Sequence, residues 1–232
     1  TKKTKRKMTQ AKNSKIPSVG DMVSQLLQQR TTQKGFNIPM ETNEAYQLLY
    51  AAYAAEVKRR GRQLQIDAET TRVVSECVQY LTQKDTKLTG MLFCGTCGNG
   101  KTTLLLAIQN AVNWLSARGM FPNEMVTEHL NEVRIISAKD ITKKYKHDGE
   151  RIKAIPVLGI EDMGNEPTEA MEFGNVSTPI IDLIEERYNK QLFTFVTTNL
   201  TGSEIREKYD TRVADRLNEM CKVIIFRGSS YR

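Results

Sequence analysis

The chain has 232 residues, 39% hydrophobic and 26% charged, which is the composition of a soluble globular protein with room for one sizeable domain and a small appendage. No apolar run approaches the roughly 18–20 residues that cross a bilayer. The basic N-terminus has no apolar stretch behind it, so it does not read as a secretory signal; the expectation is a cytoplasmic protein with no membrane partner. The net charge of +7 lies in one place. Residues 1–15 carry Lys2, Lys3, Lys5, Arg6, Lys7, Lys12 and Lys15 and no acid, and the rest of the chain balances at 27 basic and 27 acidic residues. Such an arm suits nucleic-acid phosphates, and equally a solubilising tail.

After the arm, Ser18-Val19-Gly20-Asp21 opens a helix, with Met22, Val23, Leu26, Leu27 and Arg30 at helical spacing. Thr31 to Pro39 breaks it. A second helix begins at Thr42 or Asn43 and runs to Arg60, with Ala45, Leu48, Leu49, Ala52, Tyr53 and Val57 on its apolar face. Lys58, Arg59 and Arg60 complement its dipole and Gly61 stops it. These two helices could dock on the main domain or on another protein. Asp67 caps a third helix bearing Val73, Val74, Cys77, Val78 and Leu81.

Met91 to Cys94 is an apolar strand, and Leu104 to about Ala117 a helix that stops at Gly119. Pro122 to Glu132 is ambiguous, with a short helix as one reading. Val133 to Ser137 is a strand, Asp140 to His147 a short polar helix, and Ile155 to Asp162 a strand. Pro179 to Lys190 is an amphipathic helix and Leu192 to Asn199 a buried strand. Ser203 to Met220 is helical with a break near Asp210, and Cys221 to Phe226 is the last strand. Strands alternating with helices specify an α/β fold, a parallel sheet with helices on both faces.

Chemistry concentrates at three strand ends. Between Met91–Cys94 and the following helix stands Gly95-x-x-x-x-Gly100-Lys101-Thr102, a complete phosphate-loop pattern in its strand–helix setting. Gly95, Thr96, Cys97, Gly98, Asn99, Gly100, Lys101, Thr102 and Thr103 form the candidate cradle. The glycines let backbone N–H groups approach phosphate, and the helix dipole faces the same anion. Lys101 reaches the outer phosphates of ATP, and the Thr102 hydroxyl is placed to ligate Mg2+.

The second strand end carries two adjacent acids, Glu161 and Asp162. The first suits the Mg2+ shell, and the second can polarise an attacking water. At the third, Asn199 either positions that water or is a strand-end turn residue. The four cysteines, Cys77, Cys94, Cys97 and Cys221, are scattered. Cys94-x-x-Cys97 lacks a second pair, so all four are read as reduced thiols.

The runs GMLFCGTCGNGKTTLL, LGIEDMG, FVTTNL and EKYDTRVADRLNEMCKVIIFRGSSYR resemble the AAA+ ATPases of the DnaC/DnaI helicase-loader group and the IstB transposition helpers, over about residues 62–232. The resemblance implies an AAA+ P-loop NTPase core with a small helical N-terminal segment and no separate lid domain. It makes Asn199 the first sensor, Arg216 the arginine finger reaching a neighbour's nucleotide in trans, Arg212 an alternative finger, and Arg232 the second-sensor arginine. Without the resemblance, Arg212 and Arg216 read as surface salt-bridge partners on a helix.

The order Glu161-Asp162 departs from the usual Asp-then-Glu pattern, and a shorter catalytic carboxylate suits a slow switch. The stretch between Asp140 and Ile155 leaves little room for the paired-helix insertion that related initiators use on single-stranded DNA.

The division expected is a basic arm over 1–15, a helical partner-binding segment over 16–61 and an AAA+ ATPase domain over 62–232. The function expected is an ATP-dependent loader of a hexameric replicative DNA helicase onto single-stranded DNA, self-associating through its ATP sites. The alternative is an IstB-type helper acting on duplex DNA. A small-molecule kinase would need an arginine-bearing lid that the pattern does not offer. A non-hydrolysing nucleotide-gated adaptor is a fourth reading.

Overall fold

The computed structural model describes residues 18–29, 35–65, 67–83, 86–168, 170–172 and 175–228. The chain forms two compact units, Thr1–Gln33 and Lys34–Arg232. In the first, α1 (Val19–Gln29) starts where expected: Ser18 Oγ accepts from the Asp21 N–H at 3.2 Å and donates to the Asp21 carboxylate. Val19 and Val23 stand exposed on it. The basic arm lies outside the described residues.

The second unit is built on five parallel strands: β1 (Gly90–Gly95), β2 (Arg134–Ser137), β3 (Val157–Met163), β6 (Phe193–Thr198) and β7 (Cys221–Phe226), in the order β2-β3-β6-β1-β7. Side chains alternate across the sheet as the pleat requires. Met91, Phe93, Phe193 and Phe195 join the core on one face, and Leu92, Leu158, Ile160 and Val196 the core on the other. The first face is covered by α2 (Thr42–Arg59), α3 (Ala68–Leu81) and α4 (Lys101–Ser116). The second is covered by α6 (Ala138–Lys153), α7 (Pro179–Lys190), α8 (Gly202–Lys208) and α9 (Thr211–Met220). Gly159 of β3 makes room for α4, since a Cβ there would meet Leu105 at 3.3 Å. Among the described residues, no helix is long and apolar enough to cross a membrane.

Several caps agree with the sequence reading. Asp67 accepts from the Thr70 N–H at 2.6 Å at the start of α3. Asp210 accepts from the Val213 N–H at 2.7 Å, which separates α8 from α9 at the expected break. Between Pro122 and Glu132 the chain forms one short helix, α5 (Asn123–Thr127).

Three findings sharpen the expectations. Ala45, Leu49 and Tyr53 of α2 are buried in the same core as α3 and α4 and the compact unit begins at Lys34, so of the two dockings left open for this helix the structure shows the one on the main domain. Phe36 and Ile38, read as part of a break, are 1% and 2% exposed. The Phe36 ring lies 5.0 Å from that of Phe193. The polar helix at Asp140 is longer than expected. Ser137 caps α6, and Ile141 and Ile152 anchor its two ends, so the helix continues through Gly149 to Lys153. A small hairpin, β4 (Ala170–Glu172) with β5 (Asn175–Ser177), was not foreseen.

Candidate nucleotide site

The phosphate loop joins β1 to α4 at the carboxyl edge of the sheet. Gly98 and Gly100 have φ of 87° and 95°, backbone that a side chain would strain. Gly95 permits a close approach: a Cβ there would meet the Phe226 carbonyl at 2.6 Å. Asn99, 3% exposed, donates to that same carbonyl at 3.2 Å and ties the loop to β7. Gly100 caps α4 without a side-chain acceptor, so among the described residues no side-chain cap covers the N–H groups of the first turn. Cys97 is exposed at the loop tip.

Lys101 is 5% exposed and fully engaged. Its ammonium donates to the carbonyls of Gly95 and Thr96 at 2.7 Å each, to Asn99 Oδ1 at 3.1 Å and to Asn199 Oδ1 at 2.8 Å. Burial lowers its pKa, and the nearby Asp162 carboxylate pushes the other way. Asn199, at the end of β6, is thus joined to the phosphate loop.

The two acids reach the site through an irregularity in β3. Consecutive side chains on a regular strand point to opposite faces. Here the register with β6 shifts between Ile160 and Met163, and Asp162 takes a left-handed φ of 53°. The Asp162 N–H is held by Thr197 Oγ1 at 2.9 Å, and Thr198 Oγ1 donates to the Met163 carbonyl at 2.7 Å. As a result Glu161 comes close to the Thr102 hydroxyl, while Asp162 borders the cavity beside Lys101. Burial raises the Glu161 pKa, and the adjacent Asp162 adds to it. The Thr102 hydroxyl and the Arg60 guanidinium oppose the rise.

A cavity of about 330 Å³ opens over the loop, bordered by Cys97 to Thr103, Asp162, Asn165 and Asn199. Its other wall is α2 and the turn after it, including Val57, Arg60 and Leu64. The donor set fits a nucleotide phosphate chain: an ammonium with no carboxylate salt bridge among the described residues, a helix start whose N-cap offers no side-chain acceptor, and positive-φ glycines in one cavity. It also fits a divalent ion carried by those phosphates, since the Thr102 hydroxyl and the Glu161 carboxyl lie close together.

Arg212 and Arg216 lie elsewhere, on α9. Both are paired with Glu185 of α7, Arg212 at 3.3 Å, and the Arg216 guanidinium sits 5.4 Å from the centre of the Tyr188 ring. Neither borders the cavity of its own chain. Arg232 lies outside the described residues.

Sequence reasoning missed the clamp behind Asp162. Glu166, 2% exposed, accepts from the Gly164 N–H at 3.0 Å and from the Tyr209 hydroxyl, and Lys208 donates to its carbonyl at 2.7 Å. Burial and this carboxylate raise the Tyr209 pKa. The clamp holds the turn bearing Asn165 against the corner between α8 and α9. A lone glutamate in a polar loop carries no sequence signal for this. The α2 wall was missed because its residues read as part of a separate segment.

No protein-family profile matches the chain, and no curated protein matches it in sequence. Solved structures do match. The DnaC helicase loader superposes with a TM-score of 0.52 at 18% identity, covering 71% of this chain and 94% of that one. This chain shares the fold of that structure. A putative primosome component from Streptococcus pyogenes serotype M3 gives 0.51 at 18% identity, over 72% of this chain and 84% of its own. DnaI gives 0.50 at 19% identity, over 70% and 87%. At these identities the likeness is one of fold.

Proposed function

We propose that this protein is an ATP-dependent helicase loader. It binds a hexameric replicative DNA helicase, assists its placement on single-stranded DNA and uses nucleotide at subunit boundaries as a switch. The observation that carries the reading is the meeting of Lys101, Thr102, Glu161, Asp162 and Asn199 at the carboxyl ends of β1, β3 and β6, in a fold shared with a protein described as a helicase loader.

ATP with Mg2+, when bound, supplies the phosphoanhydride and the neutralising charge at its oxygens. Lys101 turns its ammonium from the loop carbonyls to the outer phosphates. Thr102 and Glu161 hold the metal. Asp162 accepts the proton of the attacking water at its carboxylate, and Asn199 orients that water. Arg216 enters from the neighbouring subunit, with Arg212 as the alternative, so hydrolysis depends on assembly. Arg232 is assigned the second-sensor role on the resemblance alone. The helicase contact is assigned to residues 16–33, where α1 presents Val19 and Val23, and the arm to DNA phosphates.

The test is the solution mass of the protein mixed with the replicative helicase of its source, with ATP, with ADP, and with residues 1–33 removed. A complex that forms with the intact chain and is lost on truncation is expected. No complex in any nucleotide state overturns the loader reading and directs attention to a transposase and duplex DNA.

A further inference from the structure

The cavity at the phosphate loop has a second cation to which the roles above give no task. α2 ends in Lys58-Arg59-Arg60. Arg59 turns back to Glu56, which is 3% exposed and also accepts from Asn110 of α4. Arg60 goes elsewhere. Its Nη1 donates to Thr103 Oγ1 at 2.8 Å, and its side chain borders the same cavity as Lys101, Thr102, Asp162 and Asn199. No carboxylate of the described residues pairs with it.

Thr103 is the third residue of α4, in the turn that Gly100 starts without a side-chain cap. We infer that Arg60 is a phosphate-binding residue supplied in cis by α2, contacting the inner phosphates that ATP and ADP share.

The position along the ligand follows from the layout. Lys101 and Asn199 meet on the β1–β6 side, beside Asp162, and this is the end that takes the outermost phosphate. The other end of the ligand is assigned to the turn after α2, whose Leu64 and Gln65 border the same cavity. A ligand lying between these two ends passes its inner phosphates beneath Arg60. The guanidinium charge is also felt at the Glu161 carboxyl, where it opposes the rise in pKa. An arginine suits the task because its planar fork stays charged and can donate to Thr103 and a phosphate oxygen together. The inference rests on the nucleotide reading of this cavity.

Calorimetric affinities for Mg-ATP and Mg-ADP, measured on the full chain, test it. Arg60→Ala is expected to weaken both by about tenfold or more, and by the same factor, from the loss of a charge-assisted bond to phosphate. Arg60→Lys recovers part of the loss, and Arg59→Ala matches wild type. Melting of the nucleotide-free variants reports any strut-like role separately. If Arg60→Ala binds both nucleotides like wild type, the inference fails, whatever its melting temperature. If only ATP is weakened, the assignment to the inner phosphates fails. Wild-type protein that binds neither nucleotide overturns the site reading and this inference with it.

Discussion

Two buried cations sit at opposite ends of the same sheet. At the carboxyl edge, Lys101 is held by two loop carbonyls and two amide side chains, and a cavity opens beside it. At the amino edge, Arg187 of α7 is fully buried. It donates to Thr194 Oγ1 at 2.8 Å, to the Ile155 carbonyl at 2.7 Å and to the Phe193 carbonyl at 2.6 Å. Burial pushes the Arg187 pKa down to about 9, still above neutrality, so the group stays charged. Neither cation has a carboxylate salt bridge among the described residues. The difference lies in what surrounds them. Arg187 pins the starts of β3 and β6 with every contact inside the protein. Lys101 makes its contacts on a loop that a ligand can replace them on. Burial of a charge therefore does not mark function here; burial beside a cavity lined with further donors does.

The largest effect is expected at the amino edge. Arg187→Ala leaves a hole and several unpaired oxygens, and should cost about 3–5 kcal/mol in urea unfolding. A loss below about 1 kcal/mol would show that the sheet does not need the pin. Lys101→Ala should do the reverse. Nucleotide affinity falls by about a hundredfold or more, while stability changes by less than about 1 kcal/mol, because its carbonyl partners lie on a hydratable loop. Comparable stability losses for the two variants would erase the distinction.

Tyr209→Phe, which strips Glu166 of one buried partner, should cost about 1–3 kcal/mol. It should also weaken hydrolysis more than ATP binding, as read from turnover against calorimetric affinity. The smallest effect is at Glu161. Its folded pKa is raised, so between the ordinary carboxylate value and the raised one the folded state holds more protons than the unfolded state. Stability contributed there falls as pH rises through that window. Glu161→Gln should therefore raise the neutral-pH melting temperature of the nucleotide-free protein modestly, and abolish the Mg2+ dependence of nucleotide binding. A lower melting temperature would contradict the sign.

The contrast also explains what the sequence made legible. The phosphate loop was readable because its chemistry is local: four fixed positions out of eight, between an apolar strand and a helix. The strands were readable because parallel strands buried on both faces are continuous apolar runs. The Arg187 pin, the Glu166–Tyr209 clamp and the Arg60–Thr103 contact were not, because each joins residues far apart in the chain through a partner that no periodicity announces. The docking of α2 stayed open for a related reason. Gly61 ends α2 and looks like punctuation between domains, while the apolar face of α2 is what docks it onto the core.

The central claim is that the site at the carboxyl edge is completed by an arginine from a second copy. The most direct measurement is ATP turnover by Lys101→Ala alone, by Arg216→Ala alone and by the two mixed. The account predicts little turnover from either variant and recovery in the mixture, where one copy supplies the intact phosphate loop and the other the arginine. Wild-type turnover by Arg216→Ala alone would contradict it.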